Sequence, residues 1–344
     1  MSRTPPLSLA LTLSVLALSA CNESTTPNPP ATAQDQIPVA ARPAQSESGF
    51  EATAGRHLWA VIDKNGNLVR GSRVTSVARV GIGMYEVTFY KNVTQCAYVA
   101  TTINASSQAL LIFTASGHQS TNGVFVEIRE QTRIPRDGPF NLVVTCDQLG
   151  LRFAVIGYSA NLVRATAGTT LTTGGNGQYY VTFTSSIARC SHIVTVGDPG
   201  NGSVPDPAVV VTARGPANTV YVQTKSTSGG EQPEIPFHLA LICSSTRGVS
   251  RYAVVKGDGT IRRASAGTTS ARIATGRYTI TSDRDLTACA TVATRGSPSD
   301  AVPSAATLEI VAGPTSNAVG FRVRKLLYSG AGFTNQGFHA AIVC

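Results

Sequence analysis

Six of the seven cysteines and the five histidines are the residues of this 344-residue chain best equipped for chemistry beyond packing. Cys96, Cys146, Cys190, Cys243, Cys289 and Cys344 fall into three pairs spaced about 50 to 55 residues apart. Paired thiols either hold a soft metal or close a disulfide. A zinc site asks for close Cys-x-x-Cys spacing or clustered Cys and His, and neither pattern occurs. Six cysteines allow fifteen pairings. His238 and His339 each stand five residues before a closing cysteine, where the first pair has Asn141. A role that asparagine can fill points to structure rather than catalysis. His57, His118 and His192 have no counterparts. Ser191 and His192 are adjacent and point to opposite faces of a strand, and His118 with Ser120 is mere nearness in sequence with no orienting acid beside it, so neither is read as a nucleophile–base pair. The run from Asp63 to Asn67 begins like a calcium loop but lacks the glycine at the sixth position and the glutamate at the twelfth, where Val74 stands. It reads as a hairpin turn. Asp283 and Asp285 have Tyr90 and Asn92, or Thr184 and Ser186, at their positions elsewhere, so they read as loop acids rather than a glycosidase pair. No G-x-S-x-G, H-E-x-x-H, P-loop or dinucleotide signature is present. The expectation is a protein that is not an enzyme and holds neither metal nor cofactor.

The elements that position these residues repeat. Trp59, Phe153 and Tyr252 open three copies of one module, Tyr85, Tyr179 and Tyr278 follow 26 positions later, and Cys96, Cys190 and Cys289 follow 11 after that. Each copy closes with a cysteine six residues past Phe140, Phe237 or Phe338. Such a period sets the architecture before any other feature does. It also favours pairing within copies (Cys96 with Cys146, Cys190 with Cys243, Cys289 with Cys344), because each copy then satisfies itself. Modules of this size bury a modest fraction of their surface. One crosslink per module contributes roughly 4 kcal/mol by the chain-entropy argument.

Alternation with period two marks strands. Tyr85, Val87 and Phe89 share a face, as do Phe140, Leu142, Val144 and Cys146, so the crosslink belongs in the core. Asn65-Gly66 and Asp258-Gly259 mark turns between the first two strands, where a two-residue hairpin turn favours positive φ. About seven short strands per module predict an all-β fold: three tandem β-sandwiches or small β-barrels, at residues 56–147, 151–243 and 250–344. The pattern Y-x-V-T-F, C-x-x-x-A-T and P-F-x-L-x-x-x-C, read at Tyr85–Phe89, Cys96–Thr101 and Pro139–Cys146, resembles modules of uncharacterised secreted bacterial proteins. Copy three departs from it at Ser282 and Gly337. The resemblance implies architecture and no activity. Short connectors predict modules strung as a semi-rigid rod, with compact packing of the three as the alternative.

Residues 1–20 read as an export signal, with Arg3 before an apolar stretch from Leu7 to Leu18 that is too short to span a bilayer. Leu18-Ser19-Ala20-Cys21 resembles the lipobox of bacterial lipoproteins. That family resemblance implies a diacylglycerol on the Cys21 thiol, cleavage just before Cys21 and often an acyl chain, palmitate, on the new amine. It also places the modules in the cell envelope, where disulfides form. Asn22, in place of an aspartate, points to the outer membrane in a Gram-negative cell and otherwise to the cell membrane. Residues 21–55, rich in Pro, Ala, Thr and Ser, read as a disordered tether.

Charge is the asymmetry with functional content. The chain carries +9 overall, and residues 244–344 hold twelve Lys and Arg against five Asp and Glu. Arg262, Arg263, Arg272, Arg277, Arg322, Arg324 and Lys325 are the candidate contacts to an anionic envelope polymer. Too few aromatics interleave with them for nucleic acid binding to be expected. The function expected is non-catalytic binding, adhesion or a structural role. The alternatives are an envelope glycan or peptide hydrolase with an unrecognised site, and a passive stalk for a protein partner.

Overall fold

Eight strands, not seven, build each module. The computed structural model describes residues 57–103, 109–147, 151–200, 202, 204–244, 250–299, 301–326 and 332–344. The signal, Cys21 and the tether lie outside them. Module 1 contains β1 (Leu58–Ile62), β2 (Leu68–Ser72), β3 (Val74–Gly81), β4 (Met84–Phe89), β5 (Ala97–Thr102), β6 (Leu110–Ser116), β7 (Gly123–Glu130) and β8 (Phe140–Thr145). Module 2 repeats them as β9 (Arg152–Ile156), β10 (Leu162–Ala165), β11 (Thr170–Gly175), β12 (Gln178–Thr182), β13 (Cys190–Val196), β14 (Ala208–Arg214), β15 (Thr219–Ser226) and β16 (Phe237–Cys243). Module 3 has β17 (Ser250–Val255), β18 (Ile261–Ala264), β19 (Thr268–Ala274), β20 (Arg277–Ser282), β21 (Ala290–Arg295), β22 (Ala306–Ala312), β23 (Ala318–Lys325) and β24 (Phe338–Val343).

Each module is a sandwich of two four-stranded antiparallel sheets. In module 1 the first sheet runs β2-β1-β8-β5 and the second β3-β4-β7-β6, and the other modules repeat both orders. Alternation decides what lies between the sheets. Tyr85, Val87 and Phe89 from β4 meet Leu58, Ala60, Ile62, Phe140, Leu142 and Val144 there, with Cys96 and Cys146. The repeated tyrosine packs on the repeated phenylalanine in all three copies: Tyr85 on Phe140 at 5.2 Å, Tyr179 on Phe237 at 5.0 Å, and Tyr278 on Phe338 at 5.2 Å between ring centroids. The three disulfides join Cys96 to Cys146, Cys190 to Cys243 and Cys289 to Cys344. The β1–β2 connection is longer than a two-residue hairpin. Asp63 Oδ1 accepts from the N–H groups of Asn65 and Asn67, and Gly66 takes φ +88°. Gly83, Gly177 and Gly276 turn the next hairpin at φ +68°, +66° and +61°. A Cβ on Gly83 would lie 2.5 Å from the Ile128 carbonyl oxygen.

The expected rod is not formed. Residues 51–344 are one unit, because the first sheet of each module is apolar on both faces. Trp59, Val61, Val99 and Val143 from module 1 meet Ile193, Ala240 and Ile242 from module 2 and Ala290, Val292, Ala341 and Val343 from module 3 in one shared cluster. Three such faces cover one another, whereas a rod would leave each in water.

Polar contacts close the three modules into a ring. Strands β5, β13 and β21 are sheet edges, so their outward backbone groups need partners. Thr195 Oγ1 accepts from Ala100 N–H at 2.9 Å and donates to Ala100 C=O at 3.2 Å. Thr294 does the same to Val194 at 2.7 and 2.9 Å. Thr101 completes the cycle on Ala293 at 2.8 and 3.1 Å. An arginine repeats the direction. Nε of Arg164 donates to Cys96 C=O, that of Arg263 to Cys190 C=O, and that of Arg70 to Cys289 C=O. Arg263, expected on a binding surface, therefore spends its guanidinium inside an interface.

His238 and His339 are buried in these interfaces. Nδ1 of His238 accepts from Tyr98 N–H at 3.1 Å, so its proton sits on Nε2, which donates to Asp198 C=O at 3.1 Å. His339 pairs likewise with His192 N–H at 3.1 Å and Ser297 C=O at 3.2 Å. Burial pushes both rings down to about 3, and His57, which meets Thr145 Oγ1 at 3.1 Å, down to about 4.

Two outcomes follow from the ring. Replacing Thr195 by Val strands both backbone groups of Ala100, so chemical denaturation should show a loss of about 1–3 kcal/mol. Thr101→Val and Thr294→Val should lose comparable amounts; an unchanged midpoint would contradict the ring. The histidines make the fold acid-labile. Unfolded, they titrate near 6.5, while folded they stay neutral to about 3 or 4. Between those values the unfolded chain binds more protons, so stability present above pH 6.5 falls as pH drops. A His238→Asn, His339→Asn double variant should be less stable at pH 8 yet lose less on going from pH 6.5 to 4, as read from melting temperatures.

Candidate functional site

The ring sets the outer face of each second sheet beside a loop of the next module, and here the copies diverge. On module 1 this face carries Leu111, Phe113, Ala115 and Phe125, which pack with Val204 of module 2 in one core cluster. On module 3 it carries Glu309 beneath Arg322 and Arg324, at 3.6 and 2.9 Å. On module 2 it opens into a cleft of about 960 Å³.

Register builds the floor of the cleft. Strand β12 pairs with β15 so that Gln178 lies opposite Gln223 and Tyr180 opposite Tyr221. These residues therefore share one face of adjacent strands. The two tyrosines meet edge to face at 5.2 Å. Glu231 Oε1 accepts from Gln178 Nε2 at 2.9 Å and from Gln223 Nε2 at 2.5 Å. Gln223 is only 3% exposed, and its Oε1 has no partner. The opposite wall is the β21–β22 loop of module 3, with Pro298, Ser299, Val302, Pro303 and Ser304. Two backbone bonds pin that loop: Arg214 N–H to Ser299 C=O at 3.0 Å, and Ser297 N–H to Thr212 C=O at 2.8 Å.

Among the described lining residues, Arg214, Lys225 and Arg262 stand against one carboxylate, that of Glu231, so the local charge favours an anion. Burial holds the Lys225 ammonium below its usual range. Burial also raises the Tyr221 hydroxyl to about 12, with Tyr180 and Glu231 adding to the shift, so it remains a hydrogen-bond donor at neutral pH. Two phenol rings, two amides and three cations can stack on, hydrogen-bond and neutralise a hydroxyl-rich anion. Among the described lining residues there is no second carboxylate and no histidine for acid–base work. Among the described residues no group of three His, Cys, Asp or Glu side chains converges to hold a metal.

The sequence-predicted basic residues do not form one surface. Arg262 belongs to the cleft, whereas Arg263 is taken by the module interface. Arg277 and Arg324 lie over the Phe333 ring at 4.7 and 4.6 Å. Arg322 joins Arg324 on Glu309. Arg272 and Lys325 are exposed on β19 and at the end of β23. Cys21 lies outside the described residues. Sequence reasoning missed Tyr180, Tyr221, Gln178, Gln223 and Arg214. Their signal was available: at the matching register copy one has Glu86, Phe125, Met84 and Glu127 for the first four, and copy three has Thr279, Gly320, Arg277 and Arg322. The repeat breaks where the cleft lies. Compared with known proteins, the chain matches no family model, no curated protein and no solved structure.

Proposed function

We propose that this is a lipid-anchored protein of the cell envelope that binds an anionic, hydroxyl-rich envelope polymer without catalysis. The single observation that carries the reading is the module 2 cleft, where one copy of an otherwise repeated scaffold presents tyrosines and amides at positions that hold Met84, Glu86, Phe125 and Glu127 in copy one and Arg277, Thr279, Gly320 and Arg322 in copy three. A repeat that keeps its core in three copies and lets its outer faces diverge has freed those faces from a common folding duty. Three cations against one carboxylate favour phosphate or carboxylate groups, and flat tyrosines beside amides suit sugar rings and their hydroxyls. The lipobox-like Leu18-Ser19-Ala20-Cys21 supplies the anchor in this reading, with acyl chains on Cys21 and an outer-membrane or cell-membrane location. The three disulfides agree with a compartment outside the cytoplasm. Arg272 and Lys325 add exposed positive charge on module 3.

Two measurements test the proposal. Replacing Cys21 by Ser should remove labelled palmitate and shift the protein from the membrane to the soluble fraction. The same unlipidated protein should co-sediment with purified envelope polymer at low salt and be released as salt rises. An Arg214→Glu, Lys225→Glu, Arg262→Glu variant should lose that pelleting. Pelleting that survives the reversal, or fails for the parent at low salt, would overturn the polymer reading.

A further inference from the structure

The three interfaces of the ring are equivalent by sequence position but not by content. At the first, the Tyr98 ring stacks on His238 at 4.8 Å; at the second, His192 meets His339 at 4.7 Å. At the third, between modules 3 and 1, the matching residues are Thr291 and Asn141. Both rings are missing. The backbone crossing changes with them: Thr114 bridges Gly197 and Thr212 bridges Gly296, whereas Ile310 bridges Ile103. A Cβ on Gly197 would lie 2.4 Å from Thr114 C=O, so the ring-filled interfaces close more tightly than the isoleucine pair allows.

The consequence is a cleft of about 590 Å³ walled by Val61, Ile103, Leu286, Ile310 and Val319, with Asn141 and Thr291 in its lining. Asn141 is 2% exposed, and its Oδ1 has no hydrogen-bond partner. A buried acceptor without a partner is costly. The N–H groups of Tyr98 and His192, which match Thr291, both end on a ring nitrogen.

We propose that this cleft is a small-molecule site for a planar nitrogen heterocycle. The ligand's ring occupies the space that paired rings fill at the other two interfaces. Its N–H donates to Asn141 Oδ1, and its unprotonated nitrogen accepts from Thr291 N–H. The lining also holds Asp63 and Arg70, the latter bound to Cys289 C=O, but the wall is largely apolar and favours a neutral ring over an ion. The site is separate from the module 2 cleft, and neither proposal depends on the other.

The test uses the mature full-length protein with benzimidazole as probe, since it has two fused rings, one N–H and one acceptor nitrogen. Naphthalene, of similar shape without polar atoms, is the comparator. Saturable binding is expected by ligand-detected NMR, with a rise in melting temperature and at least tenfold weaker binding of naphthalene. Asn141→His restores the ring of the other interfaces and should weaken benzimidazole at least tenfold. Val319→Trp, which fills the cleft from the wall, should do the same, and it keeps the test open if the first variant folds poorly. No saturable binding to the parent, equal binding of naphthalene, or undiminished binding in both folded variants would overturn the proposal.

Discussion

The edge strand of each first sheet cannot be left alone. β5, β13 and β21 present backbone groups at a sheet margin next to a wholly apolar face, and such an edge invites pairing with another chain. One threonine hydroxyl from the next module answers both needs of one residue, accepting from its N–H and donating to its C=O. Because each module both gives and receives this cap, three copies make a closed cycle with no module left over. The shared apolar cluster, the arginine bonds to cysteine carbonyls and the buried histidines all depend on that closure.

Closure also distributes freedom among the copies. The faces that meet at the centre are held to one solution, so Thr101, Thr195 and Thr294 repeat without exception. The outer faces answer only to their nearest neighbour. Module 1 uses its outer face for packing and module 3 uses its own for a Glu309–arginine cluster, while module 2 leaves a polar cleft. The third interface is where the ring accepts an asparagine for a histidine.

Much of the module was legible in the residues. Period-two alternation at Tyr85–Phe89 and Phe140–Cys146 named the core face correctly, and the disulfides join the pairs that the repeat favoured. What misled was the connector. Short links suggested beads on a rod, although Leu58-Trp59-Ala60-Val61-Ile62 and Phe153-Ala154-Val155-Ile156 are unbroken apolar runs, the mark of a strand buried on both faces. His238 and His339 were assigned to structure, and that is their role in the ring; Tyr98 and His192, whose N–H groups they accept, lie in another module, beyond the reach of local spacing.

The basic residues show the same limit. Neighbours in a strand face opposite ways, so Arg262 and Arg263 had to part, but a charge count does not say where either one points. Strand pleating sends one into an interface and the other to a cleft. The sequence by itself determined the repeat, the strands, the inward face and the crosslinks, because these follow from periodicity within about one module's length. Only the tertiary structure decided that the modules form a ring, which faces remain open and which arginines are available, because those depend on contacts between residues 68 to 219 positions apart.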